Sequence, residues 1–231
     1  RVPLRIPREH WRELAVLTVF NMLFWHTLAI LAIQTLSSGR AAILGYTMPV
    51  FSALVGSWWF GQRLAGRAWG GVAAAALGVL LLLWHELTHL SGKPLGVVMM
   101  LVAAATWAMG TQMLRRTRIP GPSLTLSFWM TCFTAVFMVA LALVLEGPAP
   151  PMPPVTVWAM LFNAVMIFGF AHSAWFFLAR NLPPVASSLS VMFIPVIGVF
   201  SGAYFLGEVL HWQDWTAVGL VVLAIASVLW P

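Results

Sequence analysis

Residues 94–114 read PLGVVMMLVAAATWAMGTQML, and the residues that follow are Arg115-Arg116-Thr117-Arg118. A helix needs roughly 20 mostly apolar residues to cross the hydrocarbon core of a bilayer. This run has that length, carries no charge and stops at a basic cluster. It reads as a transmembrane helix with its C-terminal end on the cytoplasmic side, where lysine and arginine accumulate.

The rest of the chain has the same character. Of its 231 residues, 61% are hydrophobic and 8% are charged, and the mean hydropathy is +0.92. A soluble domain carries about 25% charged residues, so most of this surface must face lipid. The formal charge of +6 does not indicate nucleic acid, because the basic residues fall in short clusters between apolar runs and not along one face. The one cysteine, Cys132, excludes an internal disulfide. No apolar segment precedes residue 12, so no signal peptide is visible. The opening Arg1-Val2-Pro3 reads as the middle of a longer protein.

Proline, glycine and arginine divide the chain into eight apolar runs, at about 12–36, 39–60, 68–86, 94–114, 122–146, 155–180, 184–207 and 213–231. A membrane β-barrel would show alternating ten-residue segments, and none are present. With the first residues in the cytoplasm, Arg1, Arg5, Arg8, Arg12, Arg63, Arg67, Arg115, Arg116, Arg118 and Arg180 fall inside. Only Arg40 and Lys93 fall outside. Tryptophans cluster near the proposed interfaces, among them Trp11, Trp58, Trp59, Trp69, Trp158, Trp212 and Trp215.

The chain also repeats. At the offset that takes His26 to His172 (172 − 26 = 146), Phe24 meets Phe170, Pro49-Val50 meets Pro195-Val196, and Gly56 meets Gly202. Gly61 meets Gly207, Trp69 meets Trp215 and Leu83-Trp84 meets Leu229-Trp230. Spans one to three therefore correspond to spans six to eight. The shift is five helices, an odd number, so the copies are inverted in the membrane, as in many secondary transporters. The expected fold is an all-α integral membrane protein, with eight visible helices of ten in two inverted five-helix repeats. Residues 1–90 would hold the last three helices of the first repeat and residues 91–231 the whole second repeat. Two further helices, on the order of 50 residues, would precede Arg1.

The stretch Ala179-Arg180-Asn181-Leu182-Pro183-Pro184-Val185-Ala186-Ser187-Ser188, then Pro195, Leu206-Gly207-Glu208 and Trp215 through Gly219, resembles the second half of an EamA-type protein of the drug/metabolite transporter superfamily. Gly96 through Arg116, with Trp107-Ala108, resembles the first helix of that half. The resemblance covers the whole chain. It implies ten helices in two inverted repeats, both termini in the cytoplasm, and transport of small metabolites. Gln62 departs from the pattern, which places glutamate after Gly61.

His26 and His172 are repeat mates near the centres of their spans. An ionisable side chain at that depth marks a functional site by default; neutral histidines bonding between helices are the plainer alternative. Asn21 and Trp25 share a helix face with i,i+4 spacing, and Trp175 lies three residues after His172. Trp107 and Trp129 sit inside spans, away from the interfacial belts. An indole offers an apolar face and one donor, which suits amphipathic metabolites, although bundle packing explains any single tryptophan as well. Tyr46 and Asn163 are further candidates for the lining of the path. Pro49 and Pro195 interrupt helices, as hinges or as static kinks. Ser52/Gly56 and Gly198/Gly202 are small-residue pairs that let helices approach closely, within one chain or, as the second option, in a homodimer. No aspartate or glutamate lies at mid-membrane depth in a visible span, so a carboxylate proton relay has no support here.

His85-Glu86-Leu87-Thr88-His89 matches H-E-x-x-H, the zinc-peptidase pattern. Its position at the end of span three, and the need for a third zinc ligand, make a membrane metallopeptidase the alternative and not the leading reading. No metal site or cofactor is expected, and no G-x-x-x-x-G-K loop is present. The expected partners are a small-molecule substrate and the lipid bilayer.

Overall fold

The computed structural model describes residues 4–63, 66–88, 94–146, 151–181 and 194–229. Among these the chain is helical, in eight segments. They are α1 (Arg8–Ile33), α2 (Ser38–Phe60), α3 (Gly66–Thr88), α4 (Pro94–Leu114), α5 (Ser123–Leu145), α6 (Pro154–Asn181), α7 (Ile194–Leu206) and α8 (Trp212–Leu229). Helices α1, α2, α4, α5 and α6 are long and apolar enough to cross a membrane. The other three expected spans contain the shorter apolar stretches Trp69–Gly78, Val196–Leu206 and Trp212–Ser227. Large apolar side chains stand exposed along α5 and α6, including Val136, Val139, Leu143, Val155, Trp158 and Phe162. Water would not tolerate so much contiguous apolar surface on a monomer; lipid does.

The 146-residue offset is visible in the packing. Helices α3 and α8 lie against one another. A Cβ added at Gly71 would run into Ser227 and into the carbonyl of Ala224, and one added at Gly78 would lie 3.4 Å from Leu220 and 3.5 Å from the carbonyl of Ala217. Under the offset Gly71 corresponds to Ala217 and Gly78 to Ala224. The contacts 71 with 224 and 78 with 217 are therefore equivalent, as a twofold relation requires. The helix ends match too. Gly61 and Gly207 take left-handed φ of 65° and 64°, a conformation open to glycine at little cost. The next amide in each copy, Gln62 or Glu208, donates back to Gly56 or Gly202 at 2.9 and 3.3 Å. The small residues of the Ser52/Gly56 and Gly198/Gly202 pairs pack inside the chain. Gly56 faces the side chains of Gln62 and Gln112, Gly198 faces Ala42, and Gly202 faces Glu208 and Ser38.

Helix α2 is broken where proline predicts. Its first half ends at Gly45, Tyr46 and Thr47 form a turn, and the second half restarts at Met48 with Pro49 in its first turn. Proline has no N–H to give and disfavours helical backbone before it. Pro195 likewise sits near the start of α7, although the residues before Ile194 lie outside the described ones.

Two apolar clusters stack along the bundle. One joins Ala32, Leu44, Val97, Met100, Val199 and Val221; the other joins Leu17, Met22, Trp107, Leu126, Met130 and Phe176. Trp25 packs against both, which puts it at their junction.

Candidate functional site

The junction is a group of rings. His26 and His172, which the repeat makes equivalent, meet with centroids 5.3 Å apart. Phe168 lies 5.0 Å from His26 and stacks on His172 at 5.3 Å and 4°. Trp107 meets His172 edge-on at 5.7 Å and Trp25 at 5.4 Å. Three helices supply these side chains: α1, α4 and α6. Phe168 was missed by sequence reasoning, although its i,i+4 spacing to His172 placed it on the same face.

The local backbone explains how the histidines are aimed. α1 widens to π-helix over Val19–Leu23, and α6 does so over Asn163–Ala171. The offset carries residues 19–23 onto 165–169, inside the second π segment. Such widenings are uncommon in helices and occur frequently at functional sites. Each histidine follows its π segment and directs Nδ1 to a carbonyl behind it: His26 to Met22 at 2.6 Å and His172 to Ile167 at 2.9 Å. A carbonyl oxygen only accepts, so Nδ1 carries the proton in both rings, and in a neutral imidazole Nε2 is then the acceptor.

Asn21 is fully buried, and its backbone lies against Gly110 of α4. Trp175 is half-buried and packs on the second apolar cluster. Tyr46 is half-buried in the break of α2, next to Gly45, which abuts the Trp25 ring. The structure places two of the named residues away from the rings. Trp129 donates Nε1 to the Leu4 carbonyl at 2.6 Å and packs its ring among those of Trp11, Phe128 and Phe133. Asn163 is exposed and donates to the Ala159 carbonyl of its own helix at 2.8 Å. For both, a nearby backbone acceptor satisfies the polar group without recourse to the centre.

Both ends of the bundle are bridged between residues 1–90 and 91–231. At one end Glu13 accepts from the Thr117 hydroxyl at 2.6 Å and from the Arg118 amide at 3.1 Å. Nearby, the Gln112 side chain donates to the carbonyl and hydroxyl of Ser52 at 2.9 and 3.0 Å. At the other end Glu208 accepts from the amide and hydroxyl of Ser38, both at 2.7 Å, and from the Gly39 amide at 3.1 Å. Burial alone would raise the Glu208 pKa. The hydrogen bonds from Ser38 and Gly39 outweigh burial and the nearby Asp214 charge, and hold the carboxyl below its ordinary value. A depressed carboxyl contributes stability above the ordinary glutamate range, and that contribution is lost as pH falls through the lowered value. Buried Asp214 accepts from Arg40 Nε at 3.1 Å and from the His211 amide at 2.9 Å. The sequence placed Arg40 on the outer side of the membrane, yet gave no sign of which carboxylate would meet which donor.

A cavity of about 270 Å³ opens at this end, among Ser37, Arg40, Glu208, Leu210, His211 and Asp214. A shallow groove of about 370 Å³ on α5 is lined by Ala135, Val136, Val139, Ala140 and Leu143. Neither is lined by the central rings. Among the described residues no group of three histidine, cysteine or acidic side chains is placed to hold a metal. The side chains of His85 and Glu86, and all of His89, lie outside the described residues.

The model of the EamA-like transporter family matches residues 1–84 and again 94–230. The uncharacterized transporter YoaV of Bacillus subtilis is 23% identical over 87% of this chain and 70% of its own length. The uncharacterized inner membrane transporter YedA of Escherichia coli is 27% identical, over 84% of this chain and 63% of its own length. A probable amino-acid metabolite efflux pump of E. coli is 24% identical over 74% of this chain and 60% of that protein. The chain thus spans roughly two thirds of these relatives. One solved crystal structure, 18% identical, superposes on 97% of this chain and 77% of its own with a TM-score of 0.67, a likeness of fold. The family match spans nearly the whole chain, and with the apolar helices it leads to one conclusion: this is a multi-pass membrane protein that belongs to the EamA-like transporter family, and it is not a peptidase.

Proposed function

We propose that the protein is a secondary transporter that exports small amphipathic metabolites, amino acids among them, by alternating access. The observation that carries this reading is the meeting of His26 and His172 at 5.3 Å, within a cage of Trp25, Trp107 and Phe168. Inverted-repeat transporters hold substrate near the midplane, where the copies meet. Aromatic walls with a few polar atoms suit a molecule that is part apolar and part hydrogen-bonding. In this reading the bridges at the two ends hold the site closed, and each end opens by breaking its own set of hydrogen bonds. Pro49, in the break of α2, and its repeat mate Pro195 serve as the hinges. The E. coli relative named as a probable amino-acid metabolite efflux pump supports both the substrate range and the direction.

Reconstituted full-length protein tests this. In counterflow with labelled amino acids, the His26→Ala/His172→Ala variant should lose about tenfold or more of the flux. Losing a hydrogen bond to a buried group costs about 1–3 kcal/mol, and 1.4 kcal/mol is a factor of ten. Unchanged flux and unchanged pH dependence in a well-folded double variant would make the histidines packing residues.

The arginine-rich end faces the cytoplasm in this reading, and the membrane is the bacterial inner membrane. On a Cys132→Ser background, a thiol introduced at Thr117 should be protected from an impermeant reagent in intact cells, and one introduced at Leu90 should react. The reverse pattern overturns the orientation.

A further inference from the structure

Four buried polar side chains, one each on α1, α4, α5 and α6, have atoms with no hydrogen-bond partner among the described residues. They are Asn21, at both its amide nitrogen and oxygen; Thr111 and Thr134, at their hydroxyls; and His172, at Nε2. Asn21 is 0% exposed, Thr111 and Thr134 4%, and His172 8%. The half-buried Trp175 Nε1 has no partner either.

These groups lie on helices that pack against one another. Asn21 backs onto Gly110, the neighbour of Thr111. Thr111 lies one turn after Trp107, which touches His172. Thr134 lies one turn after Met130, which shares a core with Met22 and Trp107. Helices α1, α4, α5 and α6 each contribute. None of these stretches holds a charged residue: 14–33, 94–114, 123–145 and 154–179 contain no Asp, Glu, Lys or Arg. Buried polar atoms are nearly always paired, and an unpaired cluster calls for an explanation.

We infer that these polar groups form a subsite for an uncharged group that both donates and accepts hydrogen bonds, a carboxamide above all, with the apolar remainder of the substrate against Trp25, Trp107 and Phe168. The inference rests on the central-site reading above and narrows it. His172 Nε2 needs a donor, Trp175 Nε1 needs an acceptor, and Asn21 takes one of each. A carboxylate brings no donor and an ammonium brings no acceptor. An ammonium would also bury a charge beside stretches that hold no acid, and the first cation a carboxylate could reach, Arg115, stands one turn beyond Thr111, past the end of α4. A substrate that carries such groups keeps them outside this subsite.

Three probes of one shape separate the cases: phenylacetamide, phenylacetate and phenethylamine, neutral, anionic and cationic at pH 7. Equilibrium dialysis of labelled probes against the full-length protein in nanodiscs should show phenylacetamide binding at least tenfold tighter than the other two. Asn21→Leu should remove that preference. If Asn21→Leu does not fold, Thr111→Val/Thr134→Val, which conserves shape, should narrow it. Equal or tighter binding of phenylacetate or phenethylamine overturns the subsite, and so does failure of all three to bind. In each of those outcomes, loss of flux in the double-histidine variant retains the central site and rejects only its neutral character.

Discussion

Gly110→Leu should abolish recovery of folded protein. A Cβ at this position would lie 2.8 Å from both the amide nitrogen and the Cα of Asn21, and 2.9 Å from its Cβ. Two of these are backbone atoms of the π segment, which cannot turn aside as a flexible side chain can. Overpacking of this kind costs about 1–3 kcal/mol for modest insertions and more where backbone must move. A leucine adds three further carbons at a point where α1 and α4 approach closely. The sign of the alanine substitutions separates this contact from a general dislike of change. Gly70, on α3, has nothing within 4 Å of the added Cβ, so Gly70→Ala should stabilise by the roughly 0.5–1 kcal/mol that alanine gains over glycine in a helix, and raise the thermal midpoint slightly. Gly110→Ala should lower it. Monodisperse yield and thermal unfolding in detergent check both. Wild-type yield and stability for Gly110→Leu would mean that α1 and α4 do not approach as described.

Much of the fold was legible because lipid imposes a simple rule. Length and hydropathy predicted the runs that became α1, α2, α4, α5 and α6. The offset between His26 and His172 predicted which residues would correspond, and the contacts of Gly71 and Gly78 and the caps at Gly61 and Gly207 follow it. The meeting of His26 and His172 was legible for the same reason: equivalent residues near the centre approach a twofold axis. The pairing of Glu208 with Ser38 and of Arg40 with Asp214 was not legible. Positive-charge counting assigns a side of the membrane, but the partner depends on how the helix ends are placed. The π segments were also hidden, since one extra residue per turn leaves no compositional trace. Trp129 and Asn163 show the converse limit. A polar or amphipathic side chain within a span reads as a candidate for the path, but a backbone carbonyl nearby is enough to satisfy it.

The central claim is that the two copies bring residues 26 and 172 together at the heart of the transport path. The direct measurement is a cross-link. In full-length protein on the Cys132→Ser background, His26→Cys and His172→Cys are combined, with a protease site inserted between Thr117 and Gly121. Membranes are treated with a methylene-bridged bis-thiosulfonate and then with the protease. With ring centroids at 5.3 Å in the native pair, the two fragments should stay joined until reductant is added. Joining should also stop counterflow almost completely, since a tether across the site holds the copies in one arrangement, and reductant should restore whatever counterflow the double-cysteine variant had before treatment. Fragments that separate although both thiols react with a monofunctional reagent, or a cross-linked protein that still transports, would contradict the account.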